Sequence, residues 1–331
     1  MKTRELGKGE PQVSQMGLGT WSFSGSYGPT DEEESRDTLN ACLDLGINFL
    51  DTAKAYGAGL AESVIGRFMK DNPGTGFVVA TKGGLYRNPE TGERWFRNDG
   101  DFLREELEGS LQRLGVDHVP LYYVHKRQEE LAIEEVMEAM LRFKEEGKIG
   151  GIGFCEISPA SLRTAHAMGP VMAVQSEYSL WSRYPDLGMI QTCRELDVAF
   201  VPFSPLARGM MSATAPKPEE FGKIDFRRGS PRFVEPNFSR NLAQIERFKE
   251  LAGSWDMTPP ALAIAWCLAR GEHLIPIPGT RSRAHLKDCA DGAMVDLTTE
   301  QMAQIEGVLP VGWAHGDRYT TAQWVGAEGY C

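Results

Sequence analysis

The stretch Asp51-Thr-Ala-Lys-Ala-Tyr56-Gly57, with Val79-Ala-Thr-Lys82-Gly83 and Leu121-Tyr-Tyr-Val-His125 after it, decides the fold of this 331-residue chain. A short apolar run leads into each piece: Ile47-Asn-Phe-Leu50, Gly76-Phe-Val-Val-Ala80 and Val119-Pro-Leu-Tyr-Tyr-Val124. Runs of this length between helical segments read as buried parallel strands. Each delivers an ionisable group at its end, Asp51, Lys82 and His125, and Tyr56 follows five residues past Asp51. Consecutive strands that donate such groups from their C-terminal ends have the layout of an α/β barrel mouth.

Working outward, the same alternation covers the chain. Met16-Gly-Leu-Gly-Thr20 reads as the first strand, Lys148 to Gly153 as the fifth, Val171 to Gln175 as the sixth, Val198 to Phe203 as the seventh and Leu274 to Ile277 as the eighth. Between them lie helical stripes. Thr30-x-x-Glu33 reads as a capping box opening a helix with Leu39, Cys42 and Leu43 on its apolar side. A helix spans roughly 61 to 70, another carries Leu103, Leu107, Leu111 and Leu114 and stops at Gly115, and a fourth runs from Ile133 to Glu146. Eight β/α units imply a parallel sheet closed into a single (β/α)8 TIM barrel over residues 1–331. Residues 1–14 read as an N-terminal hairpin turning at Gly7-Lys-Gly9. Two long loops, 83–100 and 212–238, fall on the C-terminal face, where long loops are usually functional. The aromatic-rich tail from Pro310 to Cys331 either folds over the pocket mouth or packs on the barrel side.

Composition narrows the function. Net charge is −11 with no basic block, which argues against nucleic acid as a partner. The six cysteines are scattered and form no metal motif, so they read as small buried hydrophobes. The N-terminus lacks an apolar signal core and no run nears the roughly 18 apolar residues of a membrane span, so a cytoplasmic protein without membrane contact is expected. No feature of the sequence sets an oligomeric state.

The quartet Asp51, Tyr56, Lys82 and His125 has a chemistry of its own. A phenol titrates near about 10, and an adjacent ammonium would favour the phenolate. A carboxylate beside Lys82 would hold that ammonium charged, and a histidine can orient a substrate oxygen. The group then forms a proton donor aimed at an oxygen becoming an alkoxide, which suits carbonyl reduction by a cofactor-borne hydride. Each residue has a plainer alternative: an edge tyrosine, a surface lysine, a core histidine. Convergence on adjacent strand ends favours the catalytic reading. Trp21 and Phe23 line a pocket or pack a loop; Glu62 supports the site or is a solvated helix residue.

These strings resemble the aldo-keto reductase superfamily. Asp-Thr-Ala-x-x-Tyr-Gly, Thr-Lys-Gly and the strand-ending His125 are joined in order by Gln175-Ser-Glu-Tyr-Ser-Leu180, Phe203-Ser-Pro-Leu-Ala-Arg-Gly209 and Ile275-Pro-Ile-Pro-Gly-Thr280. The residue after Cys155, the Tyr-Ser-Leu-Trp string and Gly316-Asp-Arg-Tyr319 look closest to the long-chain bacterial and plant reductases that include perakine reductase. The resemblance implies NADPH as cofactor and an aldehyde or ketone as small-molecule carbonyl substrate, with Tyr56 as general acid. It puts Gly19, Thr20, Trp21 and Asp51 at the cofactor, with Cys155, Glu156 and Gln175 around its carboxamide and Phe203 stacked on its nicotinamide ring. It also implies that Ser204, Pro205, Leu206, Arg208 and Gly209 wrap the pyrophosphate. Ile277, Gly279, Thr280, Arg281, Arg283, His285, Asp288 and Cys289 would hold the far end, with Thr280 as N-cap of a helix whose first turn meets a 2′-phosphate. A solvated basic helix end is the alternative there.

The sequence departs from the family pattern at Cys155, where serine is usual, at His285, where arginine is usual, at Cys289, where asparagine is usual, and at Pro120 and Tyr123. No G-x-G-x-x-G follows a strand, so a Rossmann site is not indicated. Two rival readings stand beside the reductase: a nucleotide-sensing module like the potassium-channel subunits of this superfamily, and a barrel isomerase or aldolase with Lys82 as Schiff base.

Overall fold

The computed structural model of the protein describes residues 1–9, 11–87, 94–223 and 225–330. Cys331 and residues 88–93 of the 83–100 loop lie outside the described residues. The elements run β1 (Thr3–Glu5), β2 (Gln12–Ser14), β3 (Leu18–Gly19), α1 (Glu32–Leu45), β4 (Phe49–Asp51), α2 (Leu60–Asp71), β5 (Val78–Gly83), β6 (Leu85–Arg87), β7 (Arg94–Phe96), α3 (Gly100–Leu114), β8 (Val119–Val124), α4 (Ile133–Glu145), β9 (Ile149–Cys155) and α5 (Pro159–Met168). They continue with β10 (Val171–Glu177), α6 (Met189–Glu195), β11 (Ala199–Phe203), α7 (Asn237–Ser254), α8 (Pro259–Ala269), α9 (Arg283–Gly292), α10 (Thr299–Val308) and α11 (Thr321–Trp324).

Seven parallel strands pair in the order β11-β10-β9-β8-β5-β4-β3. The eighth position is the segment 273–279, and it differs from the expected strand. It meets its neighbours only through single bridges, Phe200 to Leu274, Phe203 to Ile277 and Gly19 to Gly279. Pro276 and Pro278 are the reason: a proline has no N–H to give a ladder. Their carbonyls still accept from Gly17 and Gly19 at 3.0 Å, while Ile275 and Ile277 donate to Phe200 and Pro202. The segment thus closes a (β/α)8 barrel without being a regular strand.

Strand period two sorts the side chains. Phe49, Ala80, Leu121, Ala173, Ala199, Val201 and Ile275 share one buried cluster, the barrel interior, together with Leu6 and Val13 of the β1/β2 hairpin. The hairpin therefore plugs the interior from below. Leu50, Val79, Tyr122 and Phe200 belong to the second, larger cluster, between sheet and helices. Stepping two residues along from Phe49, Ala80 and Ala173 reaches Asp51, Lys82 and Gln175, so the interior face of these three strands carries a polar group toward the top.

Helix ends mostly follow the expected chemistry, with one shift. The α1 cap is Asp31, whose carboxylate accepts from the Glu34 N–H at 2.8 Å. The Thr30–Glu33 box does not form, because Asp31, a charged acceptor one residue later, takes the N-cap position and bonds the Glu34 N–H instead. Leu39 and Cys42 are buried, but Leu43 is on the open side, 40% exposed. On α3 all four stripe leucines are buried, and Gly115 ends the helix at φ 70°.

Candidate active site

The cleft at the C-terminal ends of the strands measures about 1560 Å³, above the range of roughly 300–1,000 Å³ usual for one small ligand. At its floor the quartet converges. Lys82 Nζ donates to the Asp51 carboxylate, to the Thr52 carbonyl at 2.9 Å and to the Tyr56 hydroxyl at 3.2 Å. Gln175 Nε2 donates to the other Asp51 oxygen at 2.8 Å. The Tyr56 ring meets the His125 ring edge-to-face at 5.9 Å. Asp51, Tyr56 and His125 line the cleft, whereas Lys82 sits behind them, 1% exposed.

Local backbone makes this possible. A tight run of turns joins β4 to α2, with the Tyr56 N–H bonded to Ala53 O at 3.0 Å. Gly57 adopts φ +64°, and a Cβ there would stand 3.1 Å from that of Ser24. Only glycine takes that conformation cheaply in so close a fit. The turn swings Tyr56 back over the barrel onto Lys82.

The electrostatics correct one expectation. Burial is the largest influence on the Tyr56 phenol and pushes it up to about 12; Lys82 pulls it down and Asp51 pushes it up. The ammonium thus moderates a raised value instead of setting a lowered one. Burial is the largest influence on Lys82 and pulls it down, but Asp51, Tyr56 and Cys155 together outweigh it and keep the ammonium above the ordinary lysine range. A lysine held charged in this way is a poor Schiff-base nucleophile, which weighs against the aldolase reading. Burial pushes the Cys155 thiol up as well, away from the thiolate form that a nucleophile needs.

From the quartet the cleft extends along the β11 loop to the start of α9. Gly19, Trp21, Cys155, Glu156, Gln175, Phe203, Ser204, Pro205, Leu206, Arg208, Gly209, Ile277, Gly279, Thr280, Arg281 and His285 all line it. Thr20, Arg283, Asp288 and Cys289 are absent from its lining. Thr20 is buried, its hydroxyl donating to Asp51 O at 3.0 Å. Arg283 turns away to α1 and pairs with Asp37 at 3.0 Å and Asp44 at 2.6 Å. Cys289 is buried. The cap of α9 is Ser282, accepting from His285 N at 3.4 Å, and not Thr280. The Thr280 hydroxyl accepts from Ser282 N at 3.0 Å, building the turn before the helix. Arg281 remains at the cleft, 3.5 Å from Glu34. The β11 loop stores strain, with Ser204, Ala207 and Arg208 all near φ +55°. Such concentration marks functional loops and can form an anion-cradling nest.

Residues not singled out from the sequence complete the walls. Tyr27 and Phe226 pack edge-on against Trp21 at 5.1 and 5.0 Å. Phe23, by contrast, is core. Glu62 is fully buried and accepts from Thr81 at 2.5 Å and Arg113 at 2.7 Å, so it is no solvated helix residue. Glu156, at φ +57°, pairs with Arg318 and accepts from Glu177 N at 2.9 Å. Glu177 in turn pairs with Arg208 at 2.7 Å. The tail crosses the mouth: Tyr319, Ala322, Gln323 and Val325 line the cleft, and the Glu328 N–H bonds Glu156 O at 2.9 Å. Unpaired acids on strand ends are costly to bury, which hints that Glu156 and Glu177 need partners. Nothing in sequence names those partners, since Arg318 lies 162 residues from Glu156.

No helix among the described residues is long and apolar enough to cross a membrane, and none of their acidic, histidine or cysteine side chains group as metal ligands. The chain is 37% identical over 324 residues to the NADP(+) aldo-keto reductase yakc of Schizosaccharomyces pombe, covering 96% of this chain and 94% of that one. It is 34% identical to probable aldo-keto reductase 1 of Glycine max, covering 95% and 91% of the two chains. Among solved structures, the glycerol dehydrogenase AKR11B4 of Gluconobacter oxydans superposes with a TM-score of 0.84 at 27% identity, covering 93% and 94%. The aldo-keto reductase AKR11C1 of Bacillus halodurans gives 0.78 at 26%, covering 98% and 99%. The aldo/keto reductase family model matches residues 15–310, and with the barrel and the quartet at its mouth in view, the chain belongs to the aldo/keto reductase family.

Proposed function

We propose that this protein is an NADPH-dependent carbonyl reductase, turning aldehydes or ketones into alcohols, with Tyr56 as general acid. The observation that carries this reading is the Lys82 ammonium held by Asp51 and lying 3.2 Å from the Tyr56 hydroxyl at the cleft floor. NADPH, when bound, supplies the hydride for the carbonyl carbon. The strained 204–209 loop, the start of α9 and Arg281 fit a dinucleotide's phosphates, and Phe203 and Gln175 fit its ring and carboxamide. Glu156 and Arg208 are already engaged with Arg318 and Glu177, so both support the walls of the cleft more than they contact cofactor. His125, edge-on to Tyr56, orients the carbonyl oxygen toward the phenol. Tyr56 delivers the proton as that oxygen gains charge, and Lys82 stabilises the phenolate left behind.

The relatives named above are reductases and a dehydrogenase, and none of these observations favours the nucleotide-sensing reading. The deciding experiment follows NADPH consumption with 4-nitrobenzaldehyde, alongside nicotinamide fluorescence titrations of NADPH and NADH. Aldehyde-dependent consumption and tighter NADPH binding are expected. Tight nucleotide binding without turnover of any simple aldehyde would sink the enzyme reading.

A further inference from the structure

Lys126, the residue after His125, also lines the cleft. Its Nζ donates to Gln323 O at 2.9 Å and Val325 O at 3.2 Å in the tail, and lies 5.7 and 5.1 Å from the ring centres of Phe96 and Tyr319. Among the described residues no carboxylate stands within ion-pair distance of it, although Lys54, which also lines the cleft, pairs with Glu106 at 2.6 Å. The two tail carbonyls use two of the three ammonium protons. The surroundings leave room for negative charge: Lys126, Arg208, Arg232 and Arg318 face Glu156, Glu177 and Asp317, an excess of cation in a chain of net charge −11. The rings of Phe96 and Tyr319 flank Lys126, and Trp21 and Tyr56 add aromatic wall to the same cleft.

Resting on the reductase reading, we infer that Lys126 selects carbonyl substrates that carry an anionic group, a carboxylate on an aromatic or apolar body, by pairing with that group while His125 and Tyr56 hold the carbonyl. Burial supports the same idea. It brings Lys126 down to about 8, against the pull of Glu156, Cys155 and Glu177 upward and with Arg318 adding to the fall. An incoming carboxylate supplies the counter-charge that the folded chain withholds. The sign follows: the ammonium is present below about pH 8, so preference for an anionic substrate is full at lower pH and fades as pH rises through that value.

The alternative role for Lys126 is to strap the tail, and a ratio separates the two. 4-Carboxybenzaldehyde and 4-nitrobenzaldehyde are close in size and differ in charge. For wild-type protein with NADPH, kcat/KM for the carboxylate relative to the nitro compound is expected to be high at pH 6.5 and to fall above pH 8. Lys126→Met is expected to lower that ratio about tenfold or more, chiefly through KM, the size of one charge-assisted bond, and Lys126→Arg to restore most of it. Equal losses for both aldehydes in Lys126→Met would make Lys126 a strap and overturn the inference. If Lys126→Met does not fold, the wild-type pH profile decides alone, and a ratio flat from pH 6.5 to 9.5 overturns it. Turnover of the neutral aldehyde with no charge preference would end this inference while leaving the reductase reading intact. No turnover of either aldehyde would end both.

Discussion

The Lys82 ammonium lies 3.2 Å from the Tyr56 hydroxyl, with its remaining protons on Asp51 and Thr52 O. All three of its donors are thereby committed, so the ammonium cannot rotate away from the phenol. A fixed, buried positive charge favours phenolate far more than a mobile one in water. The group that would otherwise be an ordinary half-buried tyrosine becomes an acid whose conjugate base has a waiting partner.

Lys82→Met should therefore raise the Tyr56 pKa further. The change leaves Asp51 buried without its cation, so Asp51 will tend to take up a proton. Neutral Asp51 would relieve Tyr56 slightly, but Lys82 is the stronger of the two influences, so the net movement is upward. In alcohol oxidation Tyr56 must act as base, and the rate should rise with pH to a plateau. That rise should move to higher pH in the mutant, with a steep loss of rate near pH 7. An unchanged profile with full activity would reduce Lys82 to a structural role.

Tyr56→Phe should abolish reduction while leaving NADPH affinity close to wild type. The hydroxyl is assigned the proton, and general acid catalysis is worth about 10²–10⁴-fold. Steady-state kinetics and a fluorescence titration on the same preparation check both halves. A loss under about tenfold would remove Tyr56 from the mechanism.

The quartet was legible in sequence because strand parity and short turns fix it locally. Asp51, Lys82 and His125 each end an apolar run, and a period of two puts them on the interior face. The barrel was legible for the same reason, and the N-terminal hairpin from its Gly7-Lys-Gly9 turn. Three things were not. The proline-interrupted closing segment reads as a strand because hydropathy does not register a missing N–H. The caps at Asp31 and Ser282 compete with neighbours of similar chemistry, Thr30 and Thr280, and only backbone geometry chooses between them. The tail's place over the cleft rests on Arg318 meeting Glu156, a pairing across most of the chain that no local pattern encodes.

Arg281→Ala should weaken NADPH more than NADH. Arg281 is the arginine of the α9 turn that stays at the cleft, since Arg283 is spent on Asp37 and Asp44. A charge-assisted bond to phosphate is worth roughly 1.5–3 kcal/mol. Arg281 is partly exposed and must leave Glu34 to make that bond, so the loss should sit near the lower end, about tenfold in Kd. Glu34→Gln should move the other way, tightening NADPH with little effect on NADH. Equal changes for both nucleotides in these variants would mean that this corner does not read the 2′-phosphate.

Arg318→Met should destabilise the whole top of the barrel. Arg318 and Glu156 are 6% and 5% exposed, and Glu177 at 2% shares the same cluster. Removing the cation leaves a buried carboxylate without its partner, at a cost of about 3–5 kcal/mol. A chain of this length should show that as a fall in Tm of several degrees. The pH dependence carries a sign of its own. Burial raises the Glu177 carboxyl, but Arg208, Arg318 and Arg232 together hold it below the ordinary carboxylate value of 4.5. Its contribution to stability is therefore present above that value and lost as pH falls through the lower, folded one. With Arg318 gone the folded value rises toward the unfolded one, so the mutant should lose less stability than wild type on acidification, starting from a lower level. Thermal melts of both proteins from pH 7 down to pH 3 check this. Parallel curves would show that Arg318 contributes packing alone and leaves the charge of Glu177 untouched.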